Sequence, residues 1–232
     1  MDTKIIYEDS DLLVVEKTAG IVVFPEGQTV NNTLIDSLLE KYPELKNVGE
    51  SPRYGVIHRL DKDTSGILLV AKTNEVLIFF QKCFKNREVE KRYITLVIGM
   101  VKDDSGIIET LIARSPMDPR KQKAYGKDEK APESAREAIT HYKVLERFDR
   151  YTLLEVEIKT GRKHQIRCHM AYIHHPVAGD KIYGFKDSPM PEGLKRQFLH
   201  ASYLKVKVQD GKIKEFHSDL PEDLNEVLNE LQ

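Results

Sequence analysis

Nine consecutive residues, His58-Arg59-Leu60-Asp61-Lys62-Asp63-Thr64-Ser65-Gly66, combine an imidazole, a fixed cation, carboxylates and two hydroxyls. The apolar run from Ile67 to Ala71 follows at once and reads as a buried strand. Side chains at the mouth of such a strand are held rigidly, as reacting groups must be. The positive charge of Arg59 favours Asp61 in its ionised form. An ionised carboxylate can act as a nucleophile that forms an ester-like intermediate, or as a general base. The competing role is local: a turn-capping Asp ahead of Asp63-Thr64-Ser65.

A second block runs from Lys159 to Met170 as KTGRKHQIRCHM. Thr160-Gly161 breaks a strand and leads into a helix expected to reach about Ile173, and helix N-terminal N–H groups favour anions. Arg162 and Lys163 are expected in its first turn, where they oppose the macrodipole; that mismatch points to a phosphate or carboxylate ligand. Arg167 lies one turn further, on the side of Met170, Ala171 and His174, and a buried Arg needs a partner, for which Asp61 is the obvious candidate. An ordinary solvated basic helix is the alternative.

In the third block, Lys91-Arg92-Tyr93, Tyr93 opens a strand and either packs in the core or stacks on a base at a cleft edge. His58, His164, His169, His174 and His175 invite a metal, but the spacing of His169 and His174 suits no single helical face and no His-Glu-x-x-His occurs. No metal is expected.

The elements that must hold these blocks follow from patterning. Strands are expected at Lys4 to Tyr7, Leu12 to Lys17, 66–71, Arg92 to Ile98, Ile107 to Ala113, Ala138 to Leu145, Tyr151 to Lys159 and Leu199 to Val208. Ile107 to Ala113 is expected to pair with Arg92 to Ile98 across the Lys102–Gly106 turn, and the next two strands to pair around Glu146–Arg150. Helices are expected from Asn32 or Thr33 to about Tyr42, after Thr73 or Asn74, and at the C-terminus over Leu224, Val227, Leu228 and Leu231. Residues 114–134 read as a long polar loop. Many strands with hairpin-length links argue for an α+β fold with a largely antiparallel sheet, and nothing in the 232 residues suggests more than one domain.

The net charge of -1 conceals an uneven distribution. Residues 1–50 hold four basic and ten acidic side chains, and residues 209–232 hold two and seven; residues 51–208 therefore keep 30 basic and 20 acidic. Local positive charge of this kind suits a polyanion; charges alternating around solvated faces are the plainer explanation. Cys83 and Cys168 lie far apart within helix-like segments, so no disulfide or thiolate site is expected and a reducing cytoplasm is the natural compartment. No apolar run approaches membrane-spanning length, and Met1-Asp2-Thr3-Lys4 does not resemble a signal peptide.

Together the three blocks resemble the RluA family of RNA pseudouridine synthases. His58 to Gly66 matches the family's catalytic motif, Lys91-x-Tyr93 its second, and Thr160-Gly161-Arg162-x-His164-Gln165-Ile166-Arg167-x-His169 its third, followed by Pro176-Val177-x-Gly179-Asp180-x-x-Tyr183-Gly184. Leu13-Val14-Val15-x-Lys17 and Pro119-Arg120-Lys121-Gln122-Lys123 also look like family segments. The resemblance implies one catalytic domain over residues 1–232, with a bent, mixed, mostly antiparallel sheet flanked by helices and loops and a central RNA-binding cleft.

By that resemblance Asp61 is the nucleophile, attacking sugar C1′ or uracil C6. Tyr93 stacks on the target base and helps move protons, and Arg167 pairs with Asp61. Arg59 fills the place of the flipped nucleotide. His58, Thr64, Arg162, His164, Gln165, Ile166, Lys121 and Lys123 are the expected substrate contacts. No cofactor or metal is implied. The partner is structured RNA, ribosomal or transfer, with no membrane and nothing that demands more than a monomer. Two departures stand out. Thr18-Ala19-Gly20 follows Lys17 where many relatives have Pro. The chain also starts at the catalytic domain's first strand without the S4 domain of many relatives, so RNA selection is expected from residues 114–134 and 158–179. A non-catalytic RNA-binding protein and a metal-dependent hydrolase are the rival classes.

Overall fold

The computed structural model describes residues 3–25 and 31–231. In chain order the elements are β1 (Lys4–Glu8), β2 (Leu12–Lys17), α1 (Leu34–Lys41), a 3₁₀ turn (Pro43–Asn47), β3 (Ser65–Ala71), α2 (Asn74–Lys85), β4 (Glu90–Ile98), β5 (Ser105–Arg114), β6 (Gln122–Tyr125), β7 (Arg136–Arg147), β8 (Tyr151–Ile158), α3 (Gln165–Tyr172), β9 (Leu199–Lys207), β10 (Ile213–His217) and α4 (Glu222–Asn229). The chain divides into two compact units, residues 1–90 with 201–219, and residues 91–200 with 220–232.

In the first unit the strand order is β1-β2-β3-β9-β10. The Asp9 carboxylate builds the β1–β2 turn by accepting the N–H groups of Asp11 and Leu12. β3 is buried at every position, which is why it reads as an unbroken apolar run. β2 pairs with it antiparallel and sets Lys17 opposite Gly66. Thr33 caps α1 in a reciprocal capping box with Asp36. Thr73 caps α2, while Asn74 instead accepts the Gly49 N–H and donates to the Asn47 carbonyl.

The second unit carries the order β4-β8-β7-β5-β6, with every one of these pairings antiparallel. Leu96, Leu153, Phe198, Leu224 and Val227 belong to one buried cluster, so the apolar stripe of α4 closes this core. Ile112, Ala124, Ala138, Cys168 and Tyr183 form another, under α3.

The α+β class with a mostly antiparallel sheet is what the sequence suggests, but four details differ. β5 pairs with β7 and β6, not with β4. The intervening chain does not turn back, because Arg147 binds the carbonyls of Val101 and Lys102, and Thr152 Oγ1 accepts from Val101 N and donates to the Gly99 carbonyl. Residues 114–134 are not structureless: they contain β6. The third-block helix begins at Gln165, not at Gly161, so Arg162 and Lys163 precede it and the macrodipole argument for them falls. Finally, the 3₁₀ turn and β10 carry no apolar periodicity that could announce them.

Candidate active site

In the first unit, Asp61 is half-buried in the turn that feeds β3. Main-chain bonds fix this turn. Thr64 N donates to the Asp61 carbonyl at 3.1 Å, and Gly20 N donates to the Lys62 carbonyl at 3.0 Å. Lys17 is fully buried, and its ammonium donates to the carbonyls of Thr18, Ile21 and Lys62 at 2.8–2.9 Å. Three donors meet three acceptors, so the charge is spread over main-chain oxygens that would otherwise be buried. Gly66 closes the motif at φ +115°, where an added Cβ would lie 2.2 Å from the Ala201 carbonyl oxygen. Only glycine lets β9 approach this closely.

The other residues of this motif divide by role. His58 Nε2 accepts the Leu69 N–H at 3.1 Å, and its ring stacks on Phe84 with centroids 4.9 Å apart. It therefore braces the turn against β3 with a ring nitrogen spent on the backbone. Thr64 is buried. Arg59 is exposed, its guanidinium carbon 5.2 Å from the Phe24 ring centroid. A planar cation resting on an aromatic face is one that can stack elsewhere.

In the second unit, Tyr93 is buried on β4, opposite Val156 of β8. Lys91, on the same face of the strand, is also buried. Burial pulls its ammonium down to about 8 against the opposing attraction of Glu157, with Lys159 adding repulsion. Arg167 is buried in α3, and its Nε and Nη2 donate to the two carboxylate oxygens of Asp180 at 2.6 and 2.9 Å. The sequence offered Asp61 as its partner; the carboxylate on this edge is Asp180. Burial alone would raise the Asp180 carboxyl, but the Arg167 hydrogen bonds and charge, with the N–H groups of Tyr183 and Ile182, hold it below its ordinary value.

Gln165, expected to touch substrate, is instead a scaffold residue. Its amide donates to the Ile139 carbonyl and Thr140 Oγ1 and accepts from Thr160 Oγ1 and Arg162 N. With all four hydrogen-bonding positions filled and the residue 3% exposed, no capacity is left for a ligand. Ile166 is buried beside it. His164 stands at φ 55° ahead of α3, with Nδ1 3.2 Å from the Tyr183 hydroxyl. Arg162 Nε donates to the Glu137 carbonyl. Lys121 Nζ lies 5.9 Å from the Tyr183 ring centroid, at the end of a tight turn in which Lys121 N donates to the Asp118 carbonyl. Lys123 is exposed and paired with Glu129 at 3.1 Å. The structure thus gathers Arg167, His164 and Lys121 around the Tyr183 ring, with Asp180 on Arg167. Lys17, Asp180 and Tyr183 were visible in the sequence only as members of family segments, without roles.

His169 lies fully buried between the hydroxyls of Thr110 and Thr140, at 2.9 and 2.8 Å. Burial pushes its imidazole down to about 4. Among the described residues no group of three or more His, Cys, Asp or Glu could hold a metal. The neutral ring favours the folded state, and the unfolded chain binds the proton near pH 6.5. Stability from His169 is therefore present above pH 6.5 and lost as pH falls from there towards 4, by up to about 3 kcal/mol. Urea melts at pH 7 and pH 4.5 should show this loss, and His169→Gln should flatten it.

A family model described as RNA pseudouridylate synthase matches residues 11–172. An uncharacterized RNA pseudouridine synthase of Aquifex aeolicus is 47% identical over 192 residues, covering 82% of this chain and 58% of its own length. A ribosomal large subunit pseudouridine synthase D of Nitrosomonas europaea is 38% identical over 99% of this chain and 65% of its own. An uncharacterized RNA pseudouridine synthase of Bacillus subtilis is 39% identical over the full chain and 74% of its own length. The chain thus spans about three-fifths of the first two relatives. Among solved structures, human RNA pseudouridylate synthase domain containing 1 superposes with a TM-score of 0.79 at 27% identity, covering 97% of this chain and 87% of its own.

Proposed function

Because this chain belongs to the RNA pseudouridylate synthase family, we propose that it isomerises uridine to pseudouridine in RNA, with Asp61 as the nucleophile. The observation that carries the proposal is Asp61 itself, a half-buried carboxylate on a turn that Lys17 pins by its backbone, inside the family-matched segment. The two compact units are read as one catalytic domain, since the motifs are divided between them: Asp61 in the first, Tyr93 and Arg167 in the second.

The reaction breaks the bond from uracil N1 to sugar C1′, turns the ring and joins C5 to C1′; a proton leaves C5 and N1 gains one. A carboxylate oxygen of Asp61 attacks either C1′, so that the N1–C1′ electron pair leaves with uracil, or C6, so that the C5=C6 π pair moves towards C5 and the C4 carbonyl before the N1–C1′ bond breaks. Tyr93 would lie against the base and carry protons. By the family resemblance Arg167 would serve as the counter-ion of Asp61. The target must first leave its stack, and Arg59, parked on Phe24, would fill the gap.

Among the described residues no helix is long and apolar enough to cross a membrane. The proposed partner is large-subunit ribosomal RNA, met in the cytoplasm by a monomer. The support is that several relatives are named for the ribosomal large subunit. The test offers the purified protein 23S ribosomal RNA and tRNA transcripts in EDTA and maps pseudouridine. Conversion of ribosomal RNA is expected; conversion of tRNA alone would reassign the substrate, and dependence on divalent metal would favour the hydrolase class. Within the basic segment, Lys121→Ala is expected to weaken RNA binding and reduce its logarithmic salt slope by about one. Lys123→Ala should do less, because Glu129 already neutralises Lys123; filter binding at several salt concentrations measures both.

A further inference from the structure

Arg53 belongs to none of the three sequence blocks, yet the first unit sets it beside the motif that carries Asp61. Its guanidinium carbon lies 4.9 Å from the centroid of the Phe24 ring, and that of Arg59 lies 5.2 Å from the same centroid. Both arginines are exposed, whereas Phe24 is 7% exposed. One aromatic ring thus carries two cations at the surface. Among the described residues no hydrogen bond or ion pair occupies the Arg53 guanidinium.

Both supports of this arrangement are fixed by the main chain. The segment leading to Phe24 is fastened where Gly20 N donates to the Lys62 carbonyl, and again where the carbonyls of Val22 and Val23 accept the N–H groups of Leu34 and Ile35 at 2.9 and 3.0 Å. Arg53 stands on a turn in which its own N–H and that of Tyr54 both donate to the Glu50 carbonyl, at 3.0 and 2.8 Å. Gly55 presses that turn onto the end of β3, for an added Cβ would lie 2.1 Å from the Ala71 carbonyl oxygen.

Two like charges on one ring repel each other, and the ring itself brings no counter-charge. A guanidinium over an aromatic face still offers its planar fork of N–H donors at the rim, and that fork matches the paired oxygens of a phosphate. We propose that Arg53, held on Phe24, binds a backbone phosphate of the target strand next to the point where Arg59 enters the RNA. Arg59 must leave Phe24 to fill the place of the flipped nucleotide; Arg53 stays on the ring and holds the strand. The proposal rests on the reading that the substrate is RNA and that Arg59 enters it.

The test is filter binding of a 23S ribosomal RNA transcript at several salt concentrations, with variants verified as folded by thermal melting. Arg53→Gln should weaken binding about tenfold and lower the logarithmic salt slope by about one, the mark of one lost phosphate contact. Arg53→Lys keeps the charge without the fork, so it should restore the slope but only part of the affinity. Phe24→Leu, which removes the ring beneath both arginines, should weaken binding at least as much as Arg53→Gln. Lys212→Gln makes the same change in net charge on the exposed turn between β9 and β10, and it should leave affinity and slope as they are. Wild-type affinity and slope in Arg53→Gln would overturn the proposal. An equal loss in Lys212→Gln would also overturn it, because net charge alone would then explain both. Should Phe24→Leu fail to fold, the two variants of the exposed Arg53 decide. Wild-type protein that binds no RNA would sink the underlying reading, whereas wild-type binding that Arg53→Gln leaves intact sinks only the role of Arg53.

Discussion

Asp61→Asn is expected to abolish pseudouridine formation, with a loss of at least about 10³-fold in single-turnover rate, while RNA binding stays within about threefold. The amide is nearly isosteric with the carboxylate but has no anionic oxygen to form the ester. Geometry is not the variable, since the turn is held by main-chain bonds from Thr64 and Gly20 and by Lys17 on the Lys62 carbonyl. A non-catalytic RNA-binding protein would show no effect of the substitution, so the same experiment separates the two classes.

Arg167→Met is expected to have the largest effect on stability. It leaves the Asp180 carboxylate buried without its guanidinium, and breaking a buried pair from one side costs about 3–5 kcal/mol. The pH dependence gives this loss a signature. In the wild type the Asp180 carboxyl is held below its ordinary value, so its contribution is present above about pH 4 and disappears as pH falls below that. In Arg167→Met only burial and the two N–H groups remain, and burial dominates, so the carboxyl rises instead. The variant's deficit should then be small near pH 4 and grow as pH rises towards neutrality. Urea melts of both proteins across pH 4–8 measure it, and a deficit independent of pH would contradict the Arg167–Asp180 account.

Much of this arrangement was legible because local and global signals agree. β2 and β3 are apolar runs bounded by turn residues, and Thr33 and Thr73 are caps followed by apolar periodicity. The β7–β8 hairpin is announced by the turn expected at Glu146–Arg150, although Glu146 and Arg147 still belong to β7. What sequence could not supply was pairing over long separations. The β4-to-β5 link looks like a hairpin turn, and only the side-chain ties from Arg147 and Thr152 redirect it. β6 is four residues in a Lys-rich segment, too short for alternation to register.

At the site, the chemistry-bearing residues were visible as residue types, but their roles depend on partners far along the chain. Gln165 looked like a ligand contact until Ile139, Thr140, Thr160 and Arg162 filled its amide. Arg167 looked like a partner for Asp61, and the carboxylate found on its Nε–Nη2 edge is that of Asp180. Lys17 was an ordinary lysine at a strand end. Its burial beneath the Lys62 carbonyl joins residues 45 positions apart in sequence, a contact no local pattern encodes.

The most direct test of the central claim is pseudouridine mapping of total RNA from host cells that lack this gene, complemented with the wild-type allele or with Asp61→Asn. The account predicts specific large-subunit ribosomal uridines that lose modification in the deletion and regain it with the wild type alone. An unchanged map in the deletion, or restoration by Asp61→Asn, would contradict it.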